Sequence, residues 1–231
     1  MPRITFNDPN YCVIDDFLDD ESFFALHESV KTEKFFYENS LEWNTVWHPL
    51  NGNSLITGLK SYGDTGMPSV QYPLDKPIDR FMEAIVDAQS SFERLLLPAE
   101  QENAELRFTT AGFLYRAGWN LPWHIDHGNQ NYRGAFAYYL HENWRGNWGG
   151  ELMISGEERK FEGQDGDIDL GFRQGVGFPA PAFVTDGVGT FIMPKPNRIV
   201  FLRQGVLHAI NAVSPLAGEN MRFSLAGFFI K

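Results

Sequence analysis

The sequence offers a single cysteine, Cys12, so no disulfide can form within the chain. No apolar run reaches the eighteen or so residues that a membrane-spanning helix needs. The opening MPRITFNDPNYCVIDDF has neither a basic start nor an apolar stretch, so it does not read as a secretory signal. A reducing cytoplasm is the expected compartment. Basic residues are also scarce: 19 Lys and Arg face 30 Asp and Glu, a formal net charge of −11. With no Lys/Arg cluster to offset it, that balance repels phosphate backbones and argues against nucleic acid as a partner, as the lack of a long apolar run argues against a membrane.

What is present is globular: 231 residues, 43% hydrophobic and 15% aromatic, enough for one domain to bury a sizeable core. Asp19 and Asp20 precede Phe23, Leu26 and Val30, which predicts an amphipathic helix over 20–33. From Pro77 to about Leu96, Ile78, Phe81, Met82, Ile85, Phe92, Leu95 and Leu96 fall on one helical face, with Pro98 just beyond.

After residue 105 the hydrophobic period changes to two. Strands are expected over Arg107–Arg116, Ala135–His141, Glu151–Ser155, Gly189–Met193, Arg198–Arg203, Val206–Val213 and Met221–Ile230. The expected fold is mainly β, a sandwich or jelly roll, with residues 1–104 as helical and mixed support and 105–231 as its core. Residues 156–188 interrupt this pattern as a long insertion, either an active-site lid or a surface excursion.

Chemistry concentrates around Pro122-Trp-His-Ile-Asp-His127. On an extended backbone, residues two apart share a face, so His124 and Asp126 can hold one metal ion. His208 shares a face with Ile210 and Ala212 and can supply a third ligand, completing the two-histidine, one-carboxylate triad suited to non-haem Fe(II). The plainer readings are a chance triplet and a satisfied core histidine. His127 and His141 stay outside the triad on facing grounds.

Arg222, Ser224 and Ala226 share a face of the last strand, placing a guanidinium beside small side chains where a carboxylate could be gripped bidentately. Tyr139 aligns with Ala137 and Ala135 in a similar way. An ordinary ion pair for Arg222, or a core aromatic role for Tyr139, is the competing account.

Taken in order, Tyr-Cys-Val-Ile-Asp-Asp-Phe-Leu18, Tyr115, the His124/Asp126 pair, Tyr-Tyr-Leu140, Gly-Gly-Glu-Leu152, Pro196-Asn-Arg-Ile-Val-Phe-Leu202, His208-Ala and Arg222-Phe-Ser224 run collinearly with a known pattern. The chain resembles the prolyl-4-hydroxylase-like branch of the Fe(II)/2-oxoglutarate oxygenases. The resemblance implies a double-stranded β-helix in which His124, Asp126 and His208 bind iron. It further implies that Arg222 and Tyr139 hold the distal carboxylate of 2-oxoglutarate, with Ser224 beside them and Tyr115 nearer the metal.

The implied reaction consumes O2 and 2-oxoglutarate, releases succinate and CO2, and hydroxylates an unactivated C–H bond, with ascorbate as a candidate reductant. Because halogenating relatives carry a small residue at the carboxylate position, Asp126 favours hydroxylation; desaturation, demethylation and ring formation stay open. The expected substrate is a small molecule such as an amino acid or a metabolite derived from one, with Arg116 and Asn120 near the mouth. The alternatives are a prolyl or other residue in a protein, and a non-catalytic metal- or ligand-binding jelly roll. Trp119, Trp123, Trp144 and Trp148 cluster around the metal motif without an evident substrate class. Nothing in the sequence fixes the oligomeric state.

Overall fold

A computed structural model describes residues 2–39, 52–98, 105–126, 131–156 and 187–231. Its strands are β1 Arg3–Asn7, β2 Tyr11–Asp15, β3 Phe36–Asn39, β4 Asn53–Ile56, β5 Lys60–Tyr62, β6 Val70–Gln71, β7 Arg107–Tyr115, β8 Leu121–His124, β9 Tyr132–Tyr139, β10 Leu152–Ser155, β11 Gly189–Ile192, β12 Ile199–Arg203, β13 His208–Ile210 and β14 Arg222–Ile230. The helices are α1 Asp20–Val30, α2 Ile78–Asp87 and the short α3 Gln89–Phe92. None of the described helices is long and apolar enough to cross a membrane.

The strands form a large sheet in the order β1-β2-β12-β9-β14-β7-β4-β3, with β5 and β6 attached at β7, and a small sheet in the order β11-β10-β13-β8. This is the double-stranded β-helix. The N-terminal part does more than support it, since β1 to β6 all join the large sheet. Their short, irregular pairings carry little periodicity, and the alternation rule does not find them.

The three helices pack on the outer side of the large sheet. Asp19 caps α1 by accepting the Ser22 N–H at 2.8 Å, and Phe23, Leu26 and Val30 are buried. The predicted second helix is instead broken at Ala88, whose φ of −85° and ψ of 1° end α2. The weak helix formers of Gln89-Ser-Ser91 restart it only as α3, followed by a 3-10 turn over Glu93–Leu95. The apolar stripe still reaches one core: Ile78, Phe81, Met82, Ile85, Phe92 and Leu95 pack with Phe136, Tyr138, Phe201 and Phe229. Within it Phe92 stacks on Phe201 at 3.9 Å between centroids, and Cys12 is wholly buried.

A second apolar cluster fills one half of the space between the sheets, from Tyr11, Val13, Ala135, Val200 and Leu202 to Leu152, Ile154 and Ile192. The other half, under β7 and β14 and facing β8 and β13, is left for the cavity. Asn197, with φ 58°, anchors the entry to β12: its side chain accepts from Leu18 N and Tyr138 Oη and donates to Leu18 O.

Candidate functional site

The two sheets enclose a cavity of about 620 Å³, counting its open mouth, lined by His124, Asp126, His208, Tyr115, Arg222 and Ser224 among apolar side chains. Strand geometry explains the lining. On β14, Arg222, Ser224, Ala226 and Phe228 alternate inward, and Ala135 and Ala137 do so on β9. On the small sheet β13 pairs with β8 so that His208 is the register partner of His124.

The ligand-capable atoms of His124, Asp126 and His208 all lie within 4.8 Å of one another. Each imidazole is held by the carbonyl two residues before it. His124 Nδ1 lies 2.8 Å from Pro122 O, and His208 Nδ1 lies 2.8 Å from Val206 O. These contacts assign the N–H to Nδ1, leaving both Nε2 lone pairs free, 3.7 Å and 3.6 Å from the two Asp126 carboxylate oxygens.

Burial drives His124 well below its ordinary pKa, and the neighbouring His208 adds to the effect. The ring is therefore neutral near pH 7, as a metal ligand must be. Burial raises the Asp126 carboxyl, opposed by His208. Two imidazoles and one carboxyl group on a single cavity wall are a donor set that fits ferrous iron.

Deeper in, Arg222 is fully buried. Its cross-strand partner on β7 is Tyr115, while Ser224 pairs with Tyr139 on β9, so the guanidinium lies between two phenol rings. Its carbon centre is 5.3 Å from the Tyr115 ring centroid and 5.0 Å from that of Tyr139. Nε donates to Gly150 O at 2.8 Å and Nη1 to Ser224 Oγ at 3.2 Å. Among the described residues no carboxylate pairs with it.

The Tyr139 hydroxyl is buried without a hydrogen-bond partner. Burial raises the pKa of Tyr139, and that of Tyr115 to about 12, in both cases against the pull of Arg222, so both phenols keep their protons. A buried cation with no carboxylate partner among the described residues, beside a buried phenol, fits a carboxylate.

The structure thus brings together His124, Asp126, His208, Arg222, Tyr115, Tyr139 and Ser224. It does not bring Arg116 or Asn120 to the cavity wall. Arg116 is exposed, 5.6 Å from the centroid of the Trp119 ring, and Asn120 is half-buried beside Leu121. His127 and nearly all of the 156–188 insertion lie outside the described residues.

His141 is buried away from the triad, bonded to Pro194 O at 2.5 Å. Sequence reasoning missed Gln204, whose amide donates to Asp126 O at 2.5 Å, because nothing in the chain pattern marks a contact made from a turn.

Fold and site together describe a jelly roll with a candidate metal triad beside a buried guanidinium. Residues 111–230, over half of the chain, match the family model of the 2OG-Fe(II) oxygenase superfamily, and the chain belongs to that family. It is a 2-oxoglutarate-dependent iron dioxygenase, and its cofactors are Fe(II) and 2-oxoglutarate.

Among solved structures it is similar to a Pseudomonas putida prolyl-4-hydroxylase at TM-score 0.60 and 17% identity, covering 96% of this chain and 92% of that one. A Burkholderia pseudomallei 2OG-Fe(II) oxygenase family oxidoreductase gives TM-score 0.60 at 10% identity, covering 99% and 93%. The epimerase SnoN from nogalamycin biosynthesis, solved with Fe3+ and alpha ketoglutarate, gives 0.60 at 11% identity, covering 96% and 79%. Among curated protein sequences none matches.

Proposed function

We propose that His124, Asp126 and His208 hold the ferrous ion and that Arg222, Tyr139, Ser224 and Tyr115 seat 2-oxoglutarate. On this reading the enzyme hydroxylates a C–H bond of a small molecule, such as an amino acid or a metabolite derived from one. The observation that carries the assignment is Arg222, a fully buried guanidinium that faces the same cavity as the triad. Leaving such a charge unpaired is costly, and a dicarboxylate with one end on the metal and the other on Arg222 would supply its counter-ion.

Bound iron and 2-oxoglutarate supply the oxidising chemistry, coupling decarboxylation to succinate and CO2 with insertion of oxygen into substrate. The chain's own residues do the rest. Pro122 O and Val206 O orient the two imidazoles, and Asp126 contributes the single negative charge. Arg222 and the two protonated phenols fix the far carboxylate. Phe113, Leu121, Ile210 and Phe228 wall the remaining space and keep it dry.

A cavity set between the sheets and lined mostly by apolar side chains supports a small substrate. A second reading, a prolyl or other residue in a protein, is favoured by one feature: Tyr37, 62% exposed, sits edge-on to Trp119, which packs against the apolar cluster that includes cavity-lining Tyr115 and Leu121. Succinate formation measured with amino acids, related metabolites and proline-containing peptides separates the two. Stimulation only by peptides would overturn the small-molecule reading.

A further inference from the structure

The four tryptophans around the metal motif find no role in the sequence, yet one of them touches the support of Arg222. Trp144 Nε1 donates to Gly149 O at 2.9 Å. Gly149 and Gly150 are consecutive left-handed residues, φ 71° and 75°, in the turn that enters β10. Glycine is required at both. A Cβ on Gly149 would stand 2.2 Å from Ala212 O, and one on Gly150 would stand 2.8 Å from Arg222 Cδ.

The turn is anchored on its far side, where Gly150 N donates to Ala212 O at 3.3 Å and Ser214 N donates to Trp148 O at 2.8 Å. It presents Gly150 O to Arg222 Nε at 2.8 Å. Nε is the donor nearest the backbone, and fixing it sets the plane of the whole guanidinium, and so the direction of the fork that remains for a ligand.

We propose that Trp144 is a positioning residue of the cosubstrate site: through Gly149-Gly150 it fixes the Arg222 fork for the distal carboxylate of the 2-oxo diacid. The inference rests on the assignment of Arg222 to that carboxylate. Trp144 touches no reacting group itself. Its ring also packs on His141 at 4.8 Å and edge-on to Trp148 at 5.3 Å, contacts that phenylalanine can keep while losing the N–H donor. Its effect is therefore confined to ligands that carry a distal carboxylate.

The test compares 2-oxoglutarate with 2-oxopentanoate, which has the same chain length and no distal carboxylate. Binding of each is measured by anaerobic calorimetry on the Fe(II)-loaded full chain, for wild type, Trp144→Phe and Arg222→Met. Expected for Trp144→Phe is about a three- to tenfold loss for 2-oxoglutarate, the size of one hydrogen bond, and no change for 2-oxopentanoate.

Equal losses for both acids would mean general loosening, and no loss for either would mean that the contact is idle; each result overturns the positioning role. Arg222→Met tests the assignment underneath. It should abolish the preference for the diacid, and an Arg222→Met protein that still prefers 2-oxoglutarate as wild type does would remove Arg222 from the site. Loss of preference there, with none in Trp144→Phe, leaves the assignment standing and overturns this inference alone.

Discussion

His124 and His208 are register partners on neighbouring antiparallel strands, with ring centroids 4.2 Å apart and matching Nδ1 contacts to backbone carbonyls. The pairing puts two Nε2 lone pairs on one side of the strand pair, and Asp126 places a carboxylate oxygen near each.

Asp126→Ala removes the only carboxylate of the trio. Outer partners of metal ligands are worth about 10- to 100-fold in affinity, so the loss of an inner one should weaken Fe(II) binding by more than about a hundredfold. Iron content after desalting and succinate formation check this. Wild-type values of both would sink the assignment.

Arg222→Ala should leave Fe(II) binding intact while weakening 2-oxoglutarate by about 3 to 5 kcal/mol, on the order of a hundredfold or more. The dependence of the initial rate on 2-oxoglutarate concentration measures it. An unchanged apparent affinity counts against the pocket.

His141 supplies a pH dependence of stability. Burial above all, with help from the Arg222 charge and only partial opposition from Pro194 O, lowers its pKa to about 4. Between that value and the unfolded value of about 6.5 the unfolded chain takes up a proton that the folded one refuses. The stabilisation is thus complete above about pH 6.5 and is lost as pH falls towards 4, by about 3 kcal/mol in all. Urea unfolding at pH 7, 5.5 and 4.5 should show a shallower decline for His141→Gln than for wild type; parallel curves would refute it.

Gly227→Ala tests the packing that shapes the cavity. A Cβ there would lie 1.8 Å from Thr109 O and 2.7 Å from the Phe136 ring, between β7 and β9, where neither backbone nor ring has room to move. A destabilisation of more than about 3 kcal/mol is expected, read as a fall in thermal midpoint or in soluble yield. A midpoint within a degree or two of wild type would contradict the close packing.

Much of this site was legible because strand alternation is a local rule. Arg222, Ser224 and Ala226 need only a period of two to be placed on one face, and His124 and Asp126 need only an extended segment. The link from His208 to His124 rests on strand pairing, a long-range fact, and came from the family resemblance and the facing of Val206–Val213. That strand proved shorter, His208–Ile210, with a register shift inside it.

The break at Ala88, β1, β3 to β6 and the Gly149-Gly150 support of Arg222 were not legible, whereas β2 was, through the resemblance of Tyr11–Leu18 to an opening strand. The Gly149-Gly150 turn and the joining of β4 and β5 to β7 are decided by hydrogen bonds to residues distant in sequence. The Gly-Gly pair was visible as part of a motif, but its task depends on Arg222 arriving from the far end of the chain.

Cys12 has no exposed surface in the helix-facing core, and burial pushes its thiol above the ordinary range. Thiol-reactive dyes attack the thiolate, so the closed molecule is doubly shielded from alkylation. Labelling then proceeds only through openings of the β2 region, and its rate gives a native-state clock for that opening without any engineered probe.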